Sequence, residues 1–265
     1  MDRIPQQKNA QQSKQLQARR AKRKRQALQR LLILLAVTFV LGFLLGLFIG
    51  SRKDHTLNFI MEPNATETTS ALDENLPWNL TLVNFQYALE KEFAPAELEQ
   101  LNADYSIDSR VVNAAKNMID TALSEDINIT IVSAYRGYEY QSDLFDKKVQ
   151  RLIDEENYSV DQAREEAAKV VAYPGTSEHQ LGLALDLVDS DHRELDESQE
   201  NTAAYQWLKE HCHEYGFIVR YPNGKTDITG IIYEPWHFRY VGEEAAKVIM
   251  EKGITLEEYL QDYYH

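Results

Sequence analysis

The hydrophobic pattern divides the chain before any chemistry is considered. Leu31 to Gly50 reads LLILLAVTFVLGFLLGLFIG, twenty residues without a charge. At about 1.5 Å of rise per residue, a helix of that length spans roughly 30 Å, the thickness of a bilayer's hydrocarbon, so a transmembrane helix is expected there. A cleaved signal peptide would show an apolar core of about 7–15 residues and a small-residue cleavage site. Here the run is longer and continues into Ser51-Arg52-Lys53. Residues 51–75, with Pro63, Asn64, Thr66, Glu67, Thr68, Thr69 and Ser70, hold little that could enter a core and read as a flexible stalk.

Beyond the stalk the periodicity becomes that of a folded domain. Val111, Val112, Ala115, Met118, Ile119 and Leu123 recur at helical spacing, which predicts a helix over 109–123, and Ile129–Val132 predicts a strand. Further helices are expected over 138–153, 160–171 and 202–215, the last ended by Gly216 as a C-terminal cap. Short β-compatible runs follow at 183–188, 217–220 and 237–241, and a helix at 243–250. Helices and strands do not alternate regularly, which predicts an α+β domain with a small, mostly antiparallel sheet flanked by helices. The expected organisation is a basic segment over 1–30, an anchor over 31–50, a stalk over 51–75 and the folded domain over 76–265.

Charge adds a direction. The net charge of −14 conceals a basic head: ten of the 28 Lys and Arg residues fall within residues 1–30 against one acid, Asp2, so the remainder is strongly acidic. Basic flanks stay in the cytoplasm, which places the acidic domain outside the cell. The head reads as a topology signal and lipid-facing arm, not as a nucleic-acid-binding segment. With Cys212 the only cysteine, an internal disulfide framework and cysteine-held zinc are both excluded. Histidines and carboxylates must hold any metal.

Two segments carry such residues. In Ser177-Glu178-His179-Gln180-Leu181-Gly182-Leu183-Ala184-Leu185-Asp186-Leu187 a carboxylate interrupts a strand-like run, and on a strand Asp186 points away from Leu183, Leu185 and Leu187. A carboxylate on a covered sheet face costs several kcal/mol unless a cation or hydrogen bonds compensate. Taken alone, His179 and Asp186 also fit a hydrogen-bonded histidine and a salt-bridged acid. The second segment, Tyr233-Glu234-Pro235-Trp236-His237-Phe238-Arg239-Tyr240, puts a carboxylate three residues before a histidine, and Pro235 rules out a helix interior. His179, Asp186 and His237 would make three ligands with an open fourth position, the pattern of a catalytic site, and Glu234 is placed to accept a proton. Imidazole and carboxylate suit several divalent metals. Trp236 and Phe238 fit core packing or a substrate platform. Glu178 adjoins a candidate ligand without a motif role of its own.

The two segments together, S-x-H-x-x-G-x-A-x-D at 177–186 and E-P-W-H-F-R-Y-V-G at 234–242, resemble the VanY-type D-alanyl-D-alanine carboxypeptidases. Ser133-Ala134-Tyr135-Arg136-Gly137 with Gln141, Tyr173-Pro174-Gly175-Thr176, and Tyr215-Gly216-Phe217 with Arg220-Tyr221-Pro222 extend the resemblance over roughly 80–250. It implies one Zn2+ per chain on His179, Asp186 and His237, Glu234 as general base, Arg136 acting on the substrate carbonyl or oxyanion, and Gln141 and Ser177 contacting the peptide. Arg136 also fits a sheet-edge ion pair, Gln141 a solvated helix position, and Ser177 a turn cap. The implied activity is removal of the terminal D-alanine from peptidoglycan stem peptides by an enzyme tethered outside a bacterial membrane. L,D-carboxypeptidase or endopeptidase activity, and a non-catalytic, zinc-stabilised wall-binding module, are the alternatives.

Overall fold

The structure is a computed structural model that describes residues 69–70 and 75–264. Its centre is a four-stranded antiparallel sheet of β5 (Ile129–Ser133), β6 (Ala184–Asp189), β7 (Phe217–Tyr221) and β8 (Glu234–Tyr240), ordered β5-β6-β8-β7. Two small pairs lie before it. β1 (Thr69–Ser70) runs parallel to β2 (Tyr87–Ala88), and β3 (Leu98–Gln100) runs antiparallel to β4 (Ser106–Asp108). Thr69 and Ser70, expected in the stalk, are thus strand-paired; the rest of the expected stalk up to residue 74 lies outside the described residues.

One face of the sheet is apolar. Leu183, Leu185, Leu187, Phe217, Val219 and Phe238 pack against Val112, Ala115, Met118 and Ala122 of helix α1 (Val112–Ser124), the helix read from its apolar spacing. A second helical pair, α2 (Tyr138–Glu156) and α3 (Val160–Ala168), buries Phe145 and Val149 against Ala163 and Ala167. Ser159 caps α3 through a reciprocal capping box with Gln162. Helix α4 (Ala203–His211) continues as a 3₁₀ turn to Tyr215 and stops at Gly216, whose φ of 77° suits a residue without a Cβ. After the short helix α5 (Thr226–Thr229), α6 (Glu243–Lys252) and α7 (Leu256–Tyr264) close a third cluster around Ile218, Val241, Ile249 and Leu260.

The α+β class with a mostly antiparallel sheet stands, but its membrane-spanning part is corrected. Among the described residues no helix is long and apolar enough to cross a membrane. The physical reason is visible in the longest of them, the 19-residue α2, whose sequence YEYQSDLFDKKVQRLIDEE is amphipathic and densely charged. The segment expected to span, 31–50, lies outside the described residues, as does the basic head over 1–30. The described residues therefore give no support to the expected single-pass topology, membrane partner or extracellular placement.

Candidate metal centre

The site grows from the polar face of the sheet. Antiparallel pairing sets Asp186 directly opposite His237, so both side chains leave the same face. His179 arrives from a 3₁₀ turn, Glu178–Leu181, that ends at Gly182 with φ 69°. A Cβ there would lie 2.9 Å from Pro95 Cγ and 3.1 Å from the Asp108 nitrogen, so both conformation and space require glycine at this reversal. Pairing between β7 and β8 becomes irregular between Val219 and Tyr221, where Glu234 begins β8 beside Pro235. Such an irregularity re-aims side chains, and Glu234 Oε2 comes within 3.9 Å of His237 Nδ1.

The arrangement asks for a cation. His179 Nδ1 lies 2.6 Å from the Ala134 carbonyl oxygen, an acceptor only, so Nδ1 carries the proton and Nε2 holds a lone pair. That Nε2 is buried, has no hydrogen-bond partner, and faces Asp186 Oδ2 at 3.3 Å. Burial, with the charge of Arg136, lowers the His179 pKa to about 4, so the ring is neutral at pH 7. A lone pair aimed at a carboxylate is repulsive unless a positive ion sits between them. Asp186 Oδ1 also lies 3.1 Å from His237 Nδ1. One ligand atom from each of His179, Asp186 and His237 falls within 4.8 Å of the others, close enough for one cation to draw all three together.

The electrostatics of the remaining groups fit the same picture. Burial would raise the Asp186 carboxyl, but the charge and hydrogen bond of His237 hold it well below the usual carboxylate range. Burial would lower His237, yet the hydrogen bond with Asp186 and the nearby Glu178 carboxylate raise it to about 9. Glu234, 6% exposed, is pushed up to about 8 by burial, near the range of a base working at neutral pH.

The other expected residues take distinct places. Arg136 donates from one guanidinium nitrogen to Ser133 Oγ at 2.8 Å and Asp186 Oδ2 at 3.3 Å, and from Nε to Gln141 Oε1 at 3.1 Å. It lines a cavity of about 510 Å³ together with Ser177, Trp236 and Glu234. Ser177 opens the 3₁₀ turn without capping it through its side chain. Gln141 is fully buried, is not among the cavity-lining residues, and donates to the Ala172 carbonyl at 2.7 Å; its contacts hold Arg136 in place.

Glu178, an acid without a motif role in the sequence, lies behind His237. It is fully buried, and its Oε1 accepts from Arg220 Nε and an Arg239 nitrogen, each at 2.7 Å. Arg220 also forms a two-bond pair with Glu257, at 2.7 and 2.9 Å. Burial raises the Glu178 carboxyl, but Arg220 and Arg239 reverse this and hold it far below the usual range. Its second oxygen, Oε2, has no hydrogen bond and lies 3.5 Å from His237 Nε2. In sequence it stands among the polar residues Thr176, Ser177, His179 and Gln180, and nothing there marks it as buried.

Two imidazoles and a carboxylate at one end of a cavity, with a second carboxylate of raised pKa beside them, define a mononuclear metallohydrolase centre on an α+β fold. The sequence model described as VanY, D-alanyl-D-alanine carboxypeptidase, matches residues 104–243. A D-alanyl-D-alanine carboxypeptidase of Enterococcus faecalis (strain ATCC 700802 / V583) is 41% identical over 200 residues, 75% of this chain and 72% of that protein. The structure of VanYB in complex with D-alanine-D-alanine is similar with a TM-score of 0.64 at 41% identity, over 71% of this chain and 99% of that one. The LdcB LD-carboxypeptidase structure follows with a TM-score of 0.61 at 38% identity, over 73% of this chain and 94% of that one. The chain belongs to the VanY family, and triad, fold and relatedness together make it an enzyme of the metallocarboxypeptidase class.

Proposed function

We propose that the protein is a zinc-dependent D,D-carboxypeptidase that removes the terminal D-alanine from peptidoglycan stem peptides. The observation that carries this reading is the buried, unpartnered Nε2 of His179 facing Asp186, with His237 alongside, in a chain 41% identical to a D-alanyl-D-alanine carboxypeptidase. The donor set of two imidazoles and one carboxylate fits zinc, which when bound supplies Lewis-acid polarisation of the scissile carbonyl and of water. Every other part belongs to the chain. Glu234 takes the proton of the attacking water and delivers it to the leaving amine, a double task suited to its raised pKa. Arg136, steadied by Gln141, donates to the oxygen on which charge develops. Ser177 and Trp236, both lining the cavity, position the peptide.

Similarity to the LdcB LD-carboxypeptidase supports a second reading, cleavage of the D-alanine that ends a tetrapeptide stem. Purified zinc-loaded protein incubated with pentapeptide and tetrapeptide muropeptides separates the two. The D,D assignment predicts one D-alanine lost from the pentapeptide. Loss from the tetrapeptide alone overturns it.

A further inference from the structure

The cavity does not end at the metal centre. Its wall continues along α2 through Leu144, Lys147, Lys148 and Arg151. These positions repeat at i, i+3, i+4 and i+7, one face of a helix, while Gln141, Phe145 and Val149 form the buried face. Packing of Phe145 and Val149 on α3 therefore fixes the basic face toward the cavity.

The charge of this wall is anomalous. The chain carries 42 acidic residues against 28 basic ones, yet the only acids lining the cavity are Asp186 and Glu234 at the metal centre. The other described Lys and Arg residues have ion-pair, hydrogen-bond or aromatic partners, as Lys91 with Glu139, Lys225 with Glu258 and Lys209 with the Tyr205 ring illustrate. Lys147, Lys148 and Arg151 have no such partner among the described residues. Burial, with Arg151 nearby, lowers the pKa of Lys148. Three cations stand together at a concave surface with no direct ion pair among the described residues; Glu155 and Glu156, further along α2, act on Lys148 only from beyond ion-pair distance.

Resting on the carboxypeptidase reading, we propose that Lys147, Lys148 and Arg151 form a subsite for a free carboxylate on the substrate upstream of the scissile bond, so that the preferred substrate is an anionic peptide. The spacing agrees. Gln141 touches Arg136 at the metal centre, and α2 advances about 1.5 Å per residue, so Lys147 to Arg151 lie roughly 9–15 Å further along the helix axis. An extended peptide covers that span in about three to four residues at ~3.3 Å each.

The test uses the zinc-loaded full chain and three synthetic pentapeptides ending in D-Ala-D-Ala. The first carries a free carboxylate on its second residue (γ-linked D-glutamate) and lysine third. The second replaces that carboxylate with a carboxamide. The third keeps the carboxamide and carries diaminopimelate, hence a carboxylate, third. The subsite predicts a kcat/KM at least tenfold higher for one of the two acidic peptides than for the amidated one, and which of them gains identifies the carboxylate recognised. In the triple variant Lys147→Gln, Lys148→Gln, Arg151→Gln that ratio falls to within about twofold, mainly through KM. The ratio is internal to each protein, so partial misfolding does not produce the result. Equal rates on all three peptides by the unaltered protein, or an undiminished ratio in the variant, overturn the subsite and leave the D,D activity standing. No D-alanine released from any peptide overturns the carboxypeptidase reading, and the subsite with it.

Discussion

Glu178 Oε2 stands 3.5 Å from His237 Nε2, while its other oxygen is held by two buried arginines. The carboxylate is thus fixed by Arg220 and Arg239 and turned toward the outer nitrogen of an imidazole whose inner nitrogen faces Asp186. A proton kept on Nε2 by Glu178 leaves Nδ1 free to bind an ion, and such supporting partners typically contribute 10- to 100-fold in metal affinity. Glu178→Gln is expected to weaken zinc binding by about that factor, read by competition with a chromophoric chelator. Glu178→Ala is expected to cost about 3–5 kcal/mol of stability as well, because it leaves buried guanidinium charge uncompensated; denaturant unfolding measures this.

Glu234 and the three candidate ligands should separate cleanly. Glu234→Gln is expected to keep its zinc and lose about 10²- to 10⁴-fold in kcat, the usual contribution of a positioned base. His179→Ala or His237→Ala is expected to lose the metal itself. Metal analysis of purified variants beside D-alanine release distinguishes the two outcomes.

Without metal, stability should fall as the medium becomes alkaline. His237, raised from 6.5 to about 9 in the folded state, contributes stability that is full below pH 6.5 and lost as pH passes 9. Glu234, raised from 4.5 to about 8, binds its proton more tightly folded than unfolded, so its contribution also declines up to pH 8. The chelator-treated protein is expected to show a falling Tm between about pH 6.5 and 9. Zinc reverses the trend, because its ligands bind it deprotonated, so the zinc-induced rise in Tm grows over the same range.

Cys212 is fully buried, and burial pushes its thiol up to about 12. A protonated, covered thiol is a poor nucleophile. Alkylation at pH 8 is expected to be negligible in the native protein and complete in denaturant, as mass spectrometry would show.

The metal centre was legible because its members interrupt hydrophobic patterns: Asp186 breaks an apolar strand, and His237 sits in an aromatic one. The helices over 112–124 and 138–156 and the strand over 129–133 followed from periodicity and appear within a few residues of their expected limits. The strand carrying His237 begins at Glu234, earlier than expected, because Pro235 reads as a breaker yet is tolerated where pairing with β7 is irregular. The pair β3 and β4 was not foreseen: Leu98–Gln100 is exposed throughout and has no alternation to betray it. Helix α7 was missed although Leu256, Tyr259 and Leu260 are buried, since it is short and follows directly on Gly253. Glu178 and Gln141 look like ordinary polar residues in sequence. Their roles depend on Arg220, Arg239 and Arg136, contacts that only the tertiary fold creates.

The most direct test of the central claim is a zinc titration of the chelator-stripped protein, with D-alanine release from a D-Ala-D-Ala pentapeptide as the readout. A site formed by His179, Asp186 and His237 predicts negligible release before zinc is added and full activity at one equivalent per chain. Undiminished release from protein shown to hold no metal, or a requirement for two equivalents, would contradict it.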